Sequence, residues 1–256
     1  MSSPWILFLI FATCIFTEFA LSSELCHVPP SLWCSSPDTI TACKVEQQCA
    51  SWNKQTELVN FTLYYESLCP DCQLYIVGEF YRAFKKVGSL MHIELVPFGN
   101  AYEVKTPKGW IFACQHGPRE CQLNKIEACA IKKFENSTNV VPFIYGLEHC
   151  LMKNGDDTKC VQIMSQKYDL DYNNLMRCAN GSAGMKYEHE MAAKTKVLNP
   201  PNQYVPWVTL NGFHSEEIEA KAEKDLVALI CETYQGPGKS HWCPTDSLQR
   251  CKKKKN

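Results

Sequence analysis

Sixteen cysteines in a chain of 256 residues constrain this sequence more than any other feature. Disulfides persist in oxidising compartments and are rare where thiols are kept reduced, so the chain reads as an exported, stapled protein. Hydrophobic residues make up 45% of it and charged residues 21%, which also lets it bury one sizeable core. The cysteines therefore divide into staples and, where the setting allows it, thiols that do chemistry. With 26 basic against 27 acidic side chains, no cationic surface for phosphates is expected, and nucleic acid is excluded as a partner.

Export has its own signal. Trp5 to Phe19 form an apolar run interrupted by Thr17 and Glu18, shorter than the about 20 residues of a membrane span. Small residues at Ala20 and Ser22 suit signal peptidase, so residues 1–22 read as a cleaved signal, although no Lys or Arg precedes the run. No second run of spanning length follows, and stable membrane insertion is not expected. Three N-x-S/T sequons place candidate glycans on Asn60, Asn136 and Asn180. The Lys252–Lys255 run marks residues 236–256 as a solvated tail open to processing.

Residues 23–57 form a small cysteine block with Cys26, Cys34, Cys43 and Cys49, whose three possible pairings the sequence leaves open. From Val59 the pattern changes. Val59, Phe61, Leu63 and Tyr65 alternate with Asn60, Thr62 and Tyr64, which predicts a strand. A helix is expected from the Cys69-Pro70-Asp71-Cys72 stretch to about Lys86, and a second strand over Leu90–Phe98. The region from about 102 to 198 reads as a mainly helical insert, clearest over Glu120–Phe134. A third strand over Tyr204–Leu210 leads through Asn211-Gly212 to a fourth, and Lys221–Tyr234 closes as a helix. Strand, helix, strand, insert, strand, hairpin, strand, helix is the order of an α/β, thioredoxin-like fold over residues 58–235.

Chance alone supplies about one C-x-x-C in so cysteine-rich a chain, so the setting of Cys69-Pro70-Asp71-Cys72 decides its meaning. It follows a strand and opens a helix, where the helix dipole and free amides stabilise a Cys69 thiolate. Pro70 suits the first helical position, which has no use for an N–H. Positions i and i+3 bring the two sulfurs together. A local structural disulfide is the plain alternative. Zinc would need a second C-x-x-C or an H-x-x-x-H, which the sequence lacks, so no metal is expected. In the redox reading Cys69 attacks a substrate disulfide and Cys72 resolves the mixed disulfide. Pro206, preceded by Val205 at the mouth of a strand, fits poorly as a ladder residue. In thioredoxin-like folds this place holds a cis-proline whose neighbouring backbone pairs with substrate. The rival Val141-Pro142 has no hairpin after it.

Two resemblances follow from these residues. Cys26, Pro30, Trp33, Cys34, Ala42, Cys43 and Cys49 resemble the short saposin A-type domain, which implies a trafficking or propeptide role; a small stapled cap is the plainer reading. The run Cys114, Gln115, His116, Gly117, Glu120, Cys121, Asn124 and Cys129 matches every fixed position of the signature of the gamma-interferon-inducible lysosomal thiol reductases. That likeness, covering about 58–243, implies a reductase of disulfide-containing proteins in acidic endolysosomal compartments, with some secreted. It implies help with unfolding and proteolysis, and a role in antigen processing. The signature's own function does not follow from the sequence; a disulfide-braced, substrate-facing loop is expected over a catalytic His116.

Pro70-Asp71 departs from the small, glycine-rich pair of mammalian members, and the Asp71 charge is expected to oppose a Cys69 thiolate. No nucleotide loop stands out, so no bound cofactor is expected and the electrons come from an external small thiol. The competing class is a secreted, non-enzymatic binding module in which every cysteine is a staple. If Cys14 leaves with the signal, fifteen cysteines remain. The six of the insert are expected to form three bridges, and Cys251 is the candidate odd thiol, free, bridging a disulfide-linked dimer, or lost with a trimmed tail.

Overall fold

The computed structural model describes residues 26, 32–34, 36–52, 58–134, 137–154 and 156–243. The expected signal, the linker at 53–57, the Asn136 sequon, Cys251 and the lysine run lie outside them. Strand β1 (Val59–Tyr65) is buried at every position except Asn60, which is half-buried. Its alternating sequence thus marks not a solvated face but a central strand covered on both sides. It pairs in parallel with β2 (Met91–Pro97), from Val59 opposite Met91 to Tyr65 opposite Pro97. On its other edge it runs antiparallel to β5 (Trp207–Leu210), with Phe61 opposite Leu210 and Tyr64 opposite Trp207.

The helix expected after Cys72 is built in pieces: α3 (Pro70–Tyr75), a π turn (Ile76–Phe80) and α4 (Tyr81–Val87). The insert departs from expectation at its start. It opens with an antiparallel hairpin, β3 (Tyr102–Thr106) and β4 (Gly109–Ala113), before turning helical. Tyr102, Val104 and Ile111 are exposed there, and Gly109 turns the chain at φ +117°. Five helices follow: α5 (Pro118–Lys133), α6 (Ser137–Asn154), α7 (Asp157–Lys167), α8 (Tyr172–Asn180) and α9 (Ser182–Lys196). Pro142 lies within α6, so it is not a rival active-site proline.

The expected fourth strand is absent from the described residues. Asn211-Gly212 does turn, at φ +56° and +84°, but only the Leu210–Phe213 bridge forms. The edge it would have joined is already occupied. Glu219 Oε2 accepts the Val208 N–H at 2.8 Å, and His214 Nδ1 donates to the Val208 carbonyl at 3.0 Å. Ser215 then caps α10 (Glu216–Thr233), accepting the Ile218 N–H at 3.2 Å, so this helix begins before the expected Lys221. A break at Asp225 divides it, recapped where Asp225 Oδ1 accepts the Ala228 N–H. The three-stranded sheet, helices on both faces and a braced insert make a thioredoxin-like α/β fold.

The disulfides resolve the open pairings: Cys26–Cys43 and Cys34–Cys49 in the N-terminal block, Cys231–Cys243 near the end. The insert forms the three expected bridges, Cys114–Cys121, Cys129–Cys178 and Cys150–Cys160. Helices α1 (Pro37–Ala42) and α2 (Glu46–Trp52) form the N-terminal block. Its Cys26, Trp33, Cys43, Val45 and Cys49 belong to the same buried cluster as the sheet. Trp33, fully buried, donates its ring N–H to the Cys26 carbonyl.

Cys129–Cys178 ties α5 to α8 across a sequence separation of 49. Removing both cysteines frees that loop in the unfolded chain and should lower stability by about 3–4 kcal/mol. Guanidinium unfolding of the Cys129→Ser/Cys178→Ser variant measures this; an unchanged midpoint would mean that α5–α8 packing alone carries the junction.

Candidate active site

Among the described residues, Cys69 and Cys72 are the free cysteines, both buried. β1 ends at Tyr65, and Glu66-Ser67-Leu68 carries the chain to Cys69, the N-cap of α3. Pro70 takes the first helical turn as its missing N–H predicts. A sulfur stands where a cap oxygen would be, accepting the Cys72 N–H at 3.3 Å. The Cys69 thiol is lowered to about 7. The hydrogen bond from the Cys72 side chain does most of this, helped by the backbone N–H groups of Cys72 and Asp71, against burial and the charge of Glu66. Burial, with the neighbouring Cys69, drives the Cys72 thiol strongly upward. The pair is split into an ionisable sulfur and a protonated one.

Asp71 stands beside Cys69 at the start of the helix. Its side chain is exposed, where water screens it, and it reaches Cys69 through its backbone N–H, which favours the thiolate. Glu66, which nothing in the sequence marks out, also opposes the thiolate by its charge.

The Val205–Pro206 bond is cis, and the Cys69 thiol donates to the Val205 carbonyl at 3.8 Å. The proline has no N–H for a ladder, so β5 starts at Trp207, later than expected. Beside it opens a groove of about 500 Å³ bordered by Leu74, Tyr204, Val205 and Pro206, with Asp71, Glu79 and Glu223 along it. Leu74 is 58% exposed.

The Gln115–Asn124 run packs against the same loop. The Cys114–Cys121 bridge closes its turn, and Gly117 makes it at φ +87°, a conformation that favours glycine. Glu120, Asn124 and Glu127 share one face of α5 and meet three consecutive residues. Glu120 Oε2 lies 2.6 Å from His116 Nδ1, which in turn lies 3.3 Å from Glu66 Oε2. Asn124 Oδ1 accepts both the Ser67 N–H at 3.1 Å and its hydroxyl at 2.7 Å. Glu127 Oε2 accepts the Tyr65 hydroxyl at 2.6 Å. Gln115 Oε1 accepts from the Asn100 amide, and Asn100 donates its backbone N–H to Glu66 Oε1 at 2.6 Å. Cys129 lies farther along α5, in its bridge to α8.

His116 is raised: burial opposes this, but the Glu120 hydrogen bond and charge, then Glu66, outweigh it. Burial raises Glu66, with Glu120 adding to it and the Asn100 N–H and His116 opposing. The donor atoms of Glu66, His116 and Glu120 lie within 4.8 Å of one another, so this is a set that could hold a metal ion. A proton shared between His116 and Glu120 satisfies the 2.6 Å contact without one.

Gln73, beside Cys72, donates to the Ser67 carbonyl at 2.9 Å and to Glu148 Oε2 at 2.8 Å. Of the candidate glycan sites, Asn180 is exposed at the end of α8, and Asn60 is half-buried in the central strand.

The profile described as gamma interferon inducible lysosomal thiol reductase (GILT) matches residues 60–166. A protein named gamma-interferon-inducible lysosomal thiol reductase from Carassius auratus is 37% identical over 231 residues, 89% of either chain. This chain belongs to the GILT family. A GILT member from Mus musculus, with the same name, is 34% identical over 83% of this chain and 84% of that one. Among solved structures, the oxidoreductase DsbA from Xylella fastidiosa superposes with a TM-score of 0.46 at 10% identity, covering 78% of this chain and 88% of that one.

Carboxamidomethylation of the reduced protein should therefore fall on Cys69, with a half-maximal rate near pH 7, and spare Cys72. Asp71→Asn should change the rate at neutral pH by less than about twofold, because an exposed carboxylate is screened. A large acceleration would return Asp71 to the control of the thiolate.

Proposed function

We propose that this GILT chain reduces protein disulfides in an acidic endolysosomal lumen, with Cys69 as nucleophile and Cys72 as resolving thiol. The observation that carries this reading is the Cys69 sulfur at a helix N-terminus, hydrogen-bonded to the Cys72 N–H and facing the cis Val205–Pro206 segment. An extended substrate strand pairs with backbone at Val205, next to the sulfur. The Cys69 thiolate attacks one sulfur of the substrate disulfide; the Cys69–substrate bond forms as the substrate's S–S bond breaks, and the other substrate sulfur leaves as a thiolate that takes up a proton. Cys72, losing its proton, then attacks Cys69. The Cys69–Cys72 disulfide forms and the second substrate thiol is released. Two electrons pass to the substrate, and two equivalents of a small thiol return them, leaving as the oxidised dimer.

The lysosomal setting draws support from the relatives' names and from the buried carboxyls. Burial raises Glu66, Glu148 and Glu188, and raises Glu127 to about 7. Opening of disulfides there serves unfolding and proteolysis of the substrate, and through them antigen processing. The N-terminal block reads as a propeptide-type segment, although it shares the buried cluster of the sheet, and since Cys243 is bonded to Cys231, trimming of the tail is confined to the chain beyond it.

Insulin-disulfide reduction at about pH 5 tests the chemistry: wild type should be active, and Cys69→Ser inactive. Cys72→Ser should accumulate a mixed disulfide through Cys69. Wild-type activity no greater than that of Cys69→Ser would refute the reading.

The carboxyls add a stability test whose sign is fixed. Each has its folded value above its unfolded one, so the folded state holds more protons between the two. Their contribution is full below the unfolded value and is lost as pH rises through the folded one. His116 works in the same direction and Glu190, held low by Lys132, in the other. The midpoint of thermal unfolding should be higher at about pH 5 than at about pH 7.5 by several degrees. An equal or lower midpoint at acid pH would show that these carboxyls do not govern stability.

A further inference from the structure

Two carboxylates converge on one imidazole nitrogen beside the loop that leads into Cys69. Glu66 Oε2 lies 3.3 Å and Glu120 Oε2 lies 2.6 Å from the same atom, His116 Nδ1. Both carboxyls are fully buried, while the His116 side chain is 32% exposed. Elsewhere among the described residues a histidine meets one carboxylate only, as His189 meets Glu103 and His214 meets Glu219.

A proton accounts for part of this arrangement. Nδ1 carries one hydrogen, and the short contact directs it to Glu120. Glu66 Oε2 is then left buried with no hydrogen-bond partner among the described residues, although a buried polar atom without one is costly. The backbone nearby is shaped to admit it there: Gly99 turns at φ +57°, and a Cβ in its place would overlap the Glu66 side chain. The other oxygen of each carboxyl is already held. Glu66 Oε1 accepts the Asn100 N–H at 2.6 Å, and Glu120 Oε1 accepts the His116 N–H at 3.1 Å. Backbone donors thus lock both carboxyls so that each turns its second oxygen toward the ring nitrogen. Metal sites use outer hydrogen bonds in this way to orient their ligands.

We propose that Glu66, His116 and Glu120 form a site for a divalent transition cation of the zinc class. One imidazole nitrogen and two carboxylate oxygens suit such an ion, which takes three protein ligands and leaves a position for water. Bonds of about 2.0–2.1 Å in a tetrahedral arrangement set the ligand atoms about 3.3 Å apart. The Glu66–His116 separation has that value already, and the Glu66 and Glu120 donor atoms lie within 4.8 Å. The Glu120–His116 contact opens by about 0.7 Å as the cation replaces the proton, an adjustment that an exposed ring can make. An ion held there ties the loop after β1 to the start of α5. The sequence argument against zinc concerned closely spaced cysteine and histidine motifs; residues 66, 116 and 120 form none, and only the fold joins them. The proposal goes beyond the reductase reading and uses no thiol.

The test is zinc binding by the full chain in its Cys69–Cys72 disulfide form, with any remaining thiol blocked by iodoacetamide so that no thiolate competes. Calorimetric titration with zinc chloride at about pH 7, where the ligands release their protons, should show one equivalent bound with Kd below about 100 µM. Glu66→Gln and His116→Gln should each weaken binding by at least about tenfold. His189→Gln, at the surface pair with Glu103, should stay within about twofold of wild type. Cobalt(II) in place of zinc should give the visible bands of a four- or five-coordinate ion with no sulfur-to-metal charge-transfer band.

No saturable binding, or binding unchanged in Glu66→Gln and His116→Gln, would overturn the proposal. An equal or larger loss in His189→Gln would overturn it too, by placing the ion elsewhere. A sulfur-to-cobalt band would do the same by assigning the ion to cysteine. Should Glu66→Gln fail to fold, His116→Gln, altered at a partly exposed side chain, decides alone. The two readings fail separately. Insulin left unreduced by the wild type removes the reductase reading and leaves the zinc result standing, and an active enzyme that binds no zinc removes the site alone.

Discussion

Strand β1 is the constraint on which the rest of the molecule depends. Because it is parallel to β2 and antiparallel to β5, its C-terminal end delivers Glu66, Ser67 and Cys69 to the place where the chain enters β5 through Val205 and Pro206. A strand buried on both faces has one register that keeps its side chains inside, since a slip by one residue moves each to the other face. That register fixes the sulfur against the Val205 carbonyl, a contact between residues 136 positions apart. The outer edge of β5, closed by Glu219 and His214 rather than by another strand, leaves the sheet narrow, and the helices of the insert fold over its site end.

A narrow sheet with a polar site needs its buried charges held by something other than water. Glu66, Glu120, Glu127, Glu148 and Glu188 are all fully buried. Three of the five have a hydrogen-bonded or ionic partner across elements: His116 for Glu66, Tyr65 for Glu127 and Gln73 for Glu148. Glu120 turns back to His116 within its own helix start. Burial favours the neutral form of Glu66, Glu127, Glu148 and Glu188.

The dithiol, the helix it caps and the proline opposite were legible because each is a local rule. A cysteine before proline at a strand–helix junction, and a proline at a strand mouth, carry their meaning within a few residues. The three bridges of the insert were legible as a count. Glu66 was not, because nothing around it in sequence marks a glutamate as buried; its partners lie 34 and 50 or more positions away, at Asn100, His116 and Glu120. Gln73, Glu127 and Glu148 were silent for the same reason. The hairpin at β3–β4 was hidden by its exposure, which leaves no buried face to produce a clear alternation. The lost fourth strand shows the opposite failure. Asn211-Gly212 gave a correct turn, but Ser215 captured the chain for a helix at once, and side chains had filled the vacant edge.

The signature, opaque as a string, becomes intelligible once α5 is seen from the site loop. Residues 120, 124 and 127 follow helical spacing, and they meet residues 66, 67 and 65, with Glu120 reaching Glu66 through His116. An apolar face at those positions could have docked the helix with equal affinity, but hydrophobic contact is non-directional and tolerates small rotations. Hydrogen bonds to a backbone N–H, a hydroxyl and a phenol do not. The cysteine bridge and Gly117 hold the start of α5 so that His116 falls between two carboxylates. The loop before Cys69 is therefore fixed by polar contacts from one helix on one side and by Gln73 on the other. On the proposed dithiol chemistry, the two sulfurs need to return to one geometry in each cycle.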